Sequence, residues 1–278
     1  MIISVASGKG GTGKTTVAVG LALSVDNVQL IDCDAEEPNA HIFFGPQTYE
    51  EKPVHSLVPA VSEKKCNYCG KCAKLCQYNA LFVAPETILV FPELCHSCGL
   101  CSVVCPQDAI TEKKRQIGVI KKTYATGVDL VYGELIVGEP MAVPVIREAK
   151  KEIKTEKTVI IDASPGTACP LVAAVYGSDF ALLVTEPTPF GLHDLKIAVE
   201  VIRILEVPLG VIVNRAGIGD KKVYEFCENE NIPVMLEIPF SRRIAELYSR
   251  GVPFVKEMQG WKERFRQLLK EIQRRVEN

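Results

Sequence analysis

Three absences narrow the class of this 278-residue chain before any motif is read. No apolar run approaches the ~20 residues that a membrane-crossing helix needs, so no membrane span is expected. There is no basic surplus: 32 Lys and Arg stand against 34 Asp and Glu, a formal charge of -2. A nucleic-acid-binding domain normally carries a basic excess, so no nucleic-acid partner is expected. The N-terminus lacks the long apolar core of a secretory signal, because the run IISVA is short and leads directly into a glycine-rich loop. A cytoplasmic protein is therefore expected. The rest of the composition, 47% hydrophobic and 24% charged, is that of an ordinary globular protein. The length suffices for one large α/β domain or two smaller ones.

Cysteine is what the chain has in excess. Eleven are present, eight of them between about Pro59 and Lys113. In a long chain expected to be cytoplasmic, such clustering points to metal or redox chemistry before disulfides.

Outside that stretch, short β-rich runs alternate with helical patterns. IISVA, VQLIDCD, TVIIDAS, FALLVTEP, LGVIVNRA and PVMLEIP are almost continuously apolar, as strands buried on both faces of a parallel sheet are. Helix-like segments lie between them, among them Lys14 to Ser24, Leu192 to Leu205 and Arg242 to Arg250. The expected fold is a doubly wound, mostly parallel α/β sheet formed by residues 1–58 and 114–278. Residues 59–113 are expected to form a small α+β domain inserted into one of its loops. That segment holds an internal repeat, CNYCGKCAKLCQYNAL from Cys66 and CHSCGLCSVVCPQDAI from Cys95, which implies two similar units packed together.

Residues Gly8 to Thr15 match G-x-x-x-x-G-K-[ST], placed after a strand and at the start of a helix. Gly8, Gly10, Gly11 and Gly13 would let the backbone turn its N–H groups toward a β-phosphate. Thr12 and Thr16 belong to the same cradle, and the following helix adds the field of its N-terminus. Lys14 would bridge the β- and γ-phosphates, and the Thr15 hydroxyl would hold Mg²⁺. Asp162, ending the run TVIID, is a candidate outer partner of that Mg²⁺, and the Gly166 N–H would sense the γ-phosphate. Asp32 and Asp34 end another strand, and Asp34 is better placed to orient or activate water. The competing interpretation is that Asp34 caps a turn.

Each cysteine repeat reads C-x₂-C-x₂-C-x₃-C, the bacterial ferredoxin run, in which the fourth cysteine ligates the other cluster. One [4Fe–4S] set is thus expected at Cys66, Cys69, Cys72 and Cys105, the other at Cys95, Cys98, Cys101 and Cys76. Pro106 follows the last cysteine as the motif expects, while Gln77 replaces the corresponding proline of the first repeat. Structural zinc is the alternative, but zinc sites usually draw two pairs from separated segments. Cys33 and Cys227, in apolar surroundings, are expected to be buried thiols. His96, between two ligands, is expected to be a solvated loop residue or a hydrogen-bonding neighbour of a cluster.

The inner lysine of KGGTGKTT, with IDCDAEEPN, DASPG, LLVTEPTPFGLHDLK, VIVNRA and EIPFSRRIAELYSRGVPFV, resembles the deviant Walker A ATPases of the MinD/Mrp/ParA class (SIMIBI-type P-loop NTPases), which includes the nitrogenase iron protein. The likeness spans nearly all of the chain outside the insert. It implies binding and hydrolysis of ATP to ADP, slow and stimulated by a partner. It further implies that Lys9 reaches across an ATP-sandwich homodimer to the partner's nucleotide, that Asp34 serves the attacking water, and that Asn214 contacts adenine. Arg215, Pro239 and Phe240 would be neighbours of the base. Cys169 stands seven residues after Asp162, where the nitrogenase iron protein has a cysteine ligating a cluster shared between subunits. The stretch GELIVGEPMAVPVI lacks that protein's second cysteine, so a dimer would offer only two thiolates. Cys169 is either a metal or cluster-transfer ligand or a small packing residue.

The resemblance, insert included, implies an ATP-gated iron–sulfur protein. Its dimer closure would drive electron transfer, or assembly or delivery of a metal–sulfur cofactor. Its partner would be an unidentified redox or metal-cofactor protein, a paralogous ATPase among the candidates. A spatial regulator cycling on a surface with ATP is the alternative. It would need a membrane-binding helix, for which only WKERFRQLLKEIQRRV is a candidate. That helix is expected to pack instead on the sheet, because Glu263, Glu271 and Glu277 dilute its basic face. A plain electron carrier with a vestigial nucleotide site conflicts with the complete set of loop residues.

Overall fold

The computed structural model describes residues 1–45 and 47–277. Its strands are β1 (Ile2–Ala6), β2 (Val28–Asp32), β3 (Glu50–Val61), β4 (Leu81–Ala84), β5 (Thr87–Val90), β6 (Ile110–Ala125), β7 (Val128–Leu135), β8 (Thr158–Asp162), β9 (Phe180–Thr185), β10 (Leu209–Ala216) and β11 (Val234–Pro239). Its α-helices are α1 (Lys14–Ala22), α2 (Lys71–Leu75), α3 (Leu100–Val103), α4 (Val143–Lys150), α5 (Cys169–Val175), α6 (Pro189–Ile204), α7 (Lys222–Asn229), α8 (Arg242–Ser249), α9 (Phe254–Glu257) and α10 (Trp261–Glu277).

The six apolar runs supply β1, β2, β8, β9, β10 and β11, all parallel. Alternate residues of these strands feed two separate cores. Ile31, Val159 and Ile161 face α4, α5, α6 and α7, whereas Leu30 and Ile160 face α1, α9 and α10. The C-terminal helix belongs to this second layer. Trp261, Phe265, Leu268 and Ile272 are buried, and a Cβ at Gly20 of α1 would meet the Phe265 ring at 2.8 Å. Its apolar face is thus spent inside the protein.

Three strands extend the sheet beyond the expected six, giving the order β11-β10-β9-β1-β8-β2-β7-β6-β3. β7 lies parallel to β2, and then β6 and β3 turn antiparallel. Thr126 and Gly127 make the two-residue turn between β6 and β7, both at positive φ, 50° and 86°, as a tight hairpin requires.

β3 and β6 outrun the sheet. β6 pairs with β7 only from Gly118 to Ala125, while His55–Val61 and Gln116–Ile110 pair with each other beyond that point. At ~3.3 Å per residue, seven residues make a two-stranded arm of roughly 23 Å. Leu135, paired with Gly118, ends β7 on the side where β2 and β8 end in Asp32 and Asp162. The arm therefore leaves from the carboxyl edge of the parallel strands, where open α/β sheets place their ligands.

At the arm's tip sits a small lobe containing α2, α3 and the β4–β5 hairpin. Its halves, starting at Cys66 and Cys95, repeat at an offset of 29 residues. Tyr68 and Ser97 (φ 55° and 54°), Gly70 and Gly99 (both 72°), and Asn79 and Asp108 (52° and 45°) share left-handed backbone at matched positions.

Candidate functional site

The glycine loop joins β1 to α1 at the carboxyl edge, and its glycines are fixed by what lies behind them. A Cβ on Gly8 would fall 2.2 Å from the Asp194 carbonyl oxygen of α6, and one on Gly13 would fall 2.2 Å from Asn214 Nδ2. Gly13 also has φ 93°, open to glycine at little cost. In front of Gly10 and Gly11 a Cβ would meet nothing within 4 Å. The loop thus presents an open wall to a cleft of about 400 Å³, lined by Lys9 to Thr16, Asp34, Asn214, Arg215, Pro239 and Phe240. That volume lies within the usual range for small-molecule sites.

Lys14 is buried at the cleft floor between two carboxylates, 2.8 Å from Asp162 Oδ1 and 3.8 Å from Asp34 Oδ2. Burial alone would lower its pKa, but the two carboxylates outweigh it and hold it above the ordinary lysine value. Burial pushes Asp34 up to about 6 against the pull of Lys14, with Asp162 adding to the rise. Asp32 is pushed to about 7 by burial and then by Asp162. Asp32 and Asp34 separate here. Asp32 accepts hydrogen bonds from the backbone N–H groups of Asp34, Asn39 and Ala40, so it shapes the loop and has little left for water. Asp34 lines the cleft instead.

Among the described residues, Asp162 Oδ2, Thr12 Oγ1 and Asn39 Oδ1 are buried without hydrogen-bond partners. Buried polar atoms are normally satisfied, and here Thr12 and Asn39 line the cleft while Asp162 holds Lys14 at its floor. With the Thr15 hydroxyl in the same cleft, this oxygen-rich set suits a hydrated Mg²⁺ and a phosphate chain. The Gly166 N–H donates to the Ser7 carbonyl oxygen at 3.1 Å, tying the DASPG segment to the loop.

Lys9, in the same loop, points to Glu186 at 2.5 Å. The other Glu186 oxygen holds Arg215 at 2.7 Å, and Arg215 also donates to the Gly11 carbonyl. Burial would raise the Glu186 pKa, but Lys9 and Arg215 bring it below the ordinary value. Asn214 donates to the Thr12 carbonyl at 2.7 Å and props the loop from behind. Glu186 follows the last residue of β9 and carries no sequence signal for this role. Glu37, Asn39, Pro165, Ser241, Ile244 and Tyr248 also line the cleft without having been singled out.

In the lobe, Cys66, Cys69, Cys72 and Cys105 line one cavity with Pro106, and Cys76, Cys95, Cys98 and Cys101 line a second that Cys72 also borders. Each half therefore contributes three cysteines to one cavity and its fourth to the other. Backbone N–H groups aim at sulfur in matched fashion: Ala80 at Cys76 Sγ and Ala109 at Cys105 Sγ, both 3.3 Å. Among the described residues no three His, Cys, Asp or Glu side chains are arranged to hold a single metal ion. Four cysteines line each cavity, a donor set that an iron–sulfur cluster or a zinc ion could use. Burial raises the Cys72, Cys95 and Cys101 thiols above their ordinary pKa; bound iron would deprotonate a coordinating thiol outright. His96 stacks on Tyr78 at the edge of the second cavity, ring centres 3.6 Å apart. Cys33 and Cys227 are buried, as expected, and Cys169 is an exposed first residue of α5.

Similarity to known proteins agrees with this architecture. Residues 3–254 match the CobQ/CobB/MinD/ParA nucleotide binding domain (CbiA). An uncharacterized protein of Methanocaldococcus jannaschii is 35% identical over 265 residues, 92% of each chain. The iron-sulfur cluster carrier protein of Pyrococcus furiosus is 23% identical, over 91% of this chain and 78% of its own. The septum site-determining protein MinD of Pyrococcus horikoshii, solved with Mg-ADP, superposes with a TM-score of 0.60 at 20% identity, over 98% and 95% of the two chains. Among the described residues no helix is long and apolar enough to cross a membrane. The chain belongs to the CobQ/CobB/MinD/ParA nucleotide-binding domain family.

Proposed function

We propose that this chain is an ATP-hydrolysing iron–sulfur protein in which nucleotide-dependent dimer closure is coupled to electron transfer or to assembly or delivery of a metal–sulfur cofactor. The observation that carries the coupling is the short connection between the Asp34 loop and the arm. The Leu135 N–H donates to the carbonyl of Ala35, next to Asp34, and the Ile136 N–H donates to Ile117 of β6. Arg115, two residues further along β6, pairs with Glu139 through both guanidinium arms and reaches Glu93 at 3.5 Å, two residues before Cys95. A displacement of the Asp34 loop therefore has a packed route to the cysteine lobe.

Within the cleft, Lys14 would exchange its two carboxylates for the β- and γ-phosphates. Thr15 and Asp162 would hold Mg²⁺, which neutralises charge developing on the transferred phosphoryl group. Asp34 would orient the attacking water, and Lys9 would leave Glu186 for the nucleotide of a second copy. The two cysteine sets would hold [4Fe–4S] clusters, whose chemistry is one-electron transfer. Cycling on a membrane surface is less well supported, because the apolar face of α10 is already buried.

The test is anaerobic reconstitution followed by ATPase assays with and without reductant. About eight iron per chain, as two such clusters require, and turnover that responds to reduction are expected. Four iron or fewer overturns the two-cluster assignment, and turnover indifferent to reduction overturns the coupling.

A further inference from the structure

The two halves of the cysteine lobe form an internal comparison. At the 29-residue offset every cysteine, three left-handed backbone positions and the N–H groups aimed at Cys76 and Cys105 are matched. The outer surfaces are not matched. Lys64, Lys65, Lys71 and Lys74 of the first half correspond to Glu93, Leu94, Leu100 and Val103 of the second. All four lysines are exposed, and among the described residues none has a carboxylate within 4.0 Å. Lys71 and Lys74 lie three apart on α2 and so share one face. Their counterparts Leu94, Leu100 and Val103 are exposed apolar residues.

The lysines are not required to offset the charge of a thiolate set. The second set has the same four-cysteine geometry without them, and Glu112 lines its cavity. Nor does the lobe have a general basic character: Lys64, Lys65, Lys71, Lys74 and Lys113 are balanced by Glu63, Glu86, Glu93, Asp108 and Glu112, with no arginine. Four of its five lysines belong to the first half: Lys71 lines the first cavity beside the exposed Cys69, and Lys64 and Lys65 directly precede Cys66. A nucleic-acid track would be longer and would give the lobe a basic excess, whereas its five lysines and five acids balance. A short run of exposed lysines beside the exposed Cys69 instead matches an acidic protein whose own redox centre must come close.

We propose that Lys64, Lys65, Lys71 and Lys74 form the docking surface for an acidic electron-carrier protein, which approaches the Cys66–Cys69–Cys72–Cys105 set. This rests on the cysteine sets holding clusters, as proposed above. Docking of this kind depends on charge, and long-range attraction raises the association rate at low salt.

The experiment measures binding of two probes, an acidic flavodoxin and an acidic ferredoxin, to the anaerobically reconstituted full chain. One variant combines Lys64→Glu, Lys65→Glu, Lys71→Glu and Lys74→Glu. The control combines Lys221→Glu, Lys256→Glu, Lys262→Glu and Lys270→Glu, an identical change in net charge at exposed sites elsewhere. Expected is binding by at least one probe that weakens with salt. The lobe variant should lose about tenfold or more in affinity while the control stays within about twofold. Equal loss in both variants, no binding by either probe at low salt, or preferential binding of a DNA oligonucleotide through the same lysines overturns the proposal. Iron content of the same samples separates two failures. An iron-loaded chain that ignores both probes refutes the docking surface alone, whereas a chain without iron refutes the cluster assignment on which it rests.

Discussion

Lys9 Nζ and Glu186 Oε1 stand 2.5 Å apart, with Arg215 on the other oxygen of Glu186 at 2.7 Å. The loop lysine that would serve a second copy of the chain is therefore held within its own chain. Lys9→Ala should leave ATP binding by the monomer nearly intact and abolish nucleotide-dependent dimerisation and turnover. Glu186→Gln should act in the opposite direction. Releasing a partly buried pair worth about 1 kcal/mol should lower the ATP concentration for half-maximal dimerisation roughly fivefold. Light scattering against ATP concentration reads both effects, and a dimer formed equally well by Lys9→Ala would remove the cross-subunit role.

The raised pKa of Asp34 fixes the sign of a pH dependence. In the unfolded chain an aspartate loses its proton near pH 4, whereas burial holds the folded group up to about 6. Between these values the folded state binds more protons than the unfolded state, so this group's contribution to stability falls as pH rises through the window. Asp32, pushed to about 7, extends the same trend upward. Denaturant unfolding of nucleotide-free wild type and Asp34→Asn should show the variant gaining relative stability from pH 4 to 7. A difference that stays constant over that range would mean Asp34 titrates normally.

What could be read from the sequence divides along burial. Six of the seven parallel strands, all but β7, were legible because both of their faces are covered, which leaves unbroken apolar runs such as Val159–Ile160–Ile161. β6 was hidden because half of it is a free-standing arm. Its stretch TEKKRQ carries exposed charge, and its buried residues, Ile110, Ile117, Gly118, Ile120 and Ala125, are scattered without a continuous run. The turn at Thr126–Gly127 was a usable hairpin signal. In the cleft, loop residues were legible because spacing along one segment defines them. Glu186 was not, because its meaning arises only when β9 brings it beside Lys9. The distinction between Asp32 and Asp34 needed the hydrogen bonds to Asn39 and Ala40.

Arg115 joins the nucleotide edge to the lobe by contacts with Glu139 and Glu93. It lies outside the cleft and outside both cysteine sets, so Arg115→Ala should keep basal ATPase within about twofold of wild type. Its effect should appear in the response: stimulation or inhibition of turnover by reductant should be lost. Hydrogen exchange of the arm with and without nucleotide provides a second reading independent of activity. If reductant still changes turnover in Arg115→Ala by the wild-type factor, the route through Glu139 is not the one used.

The crossed cysteine pattern makes the sharpest prediction about the lobe. Cys105 follows Cys101 in sequence, yet it lines the cavity of Cys66, Cys69 and Cys72, while Cys76 lines that of Cys95, Cys98 and Cys101. Cys105→Ser should therefore damage the set belonging to the other repeat. After reconstitution iron should fall from about eight to about four per chain, with the remaining signal that of one [4Fe–4S] cluster. A following Cys98→Ser should then remove the rest, whereas Cys69→Ser added to Cys105→Ser should change little, because both strike one set. If instead Cys105→Ser with Cys98→Ser retains four iron, each repeat holds its own four cysteines and the crossed assignment fails.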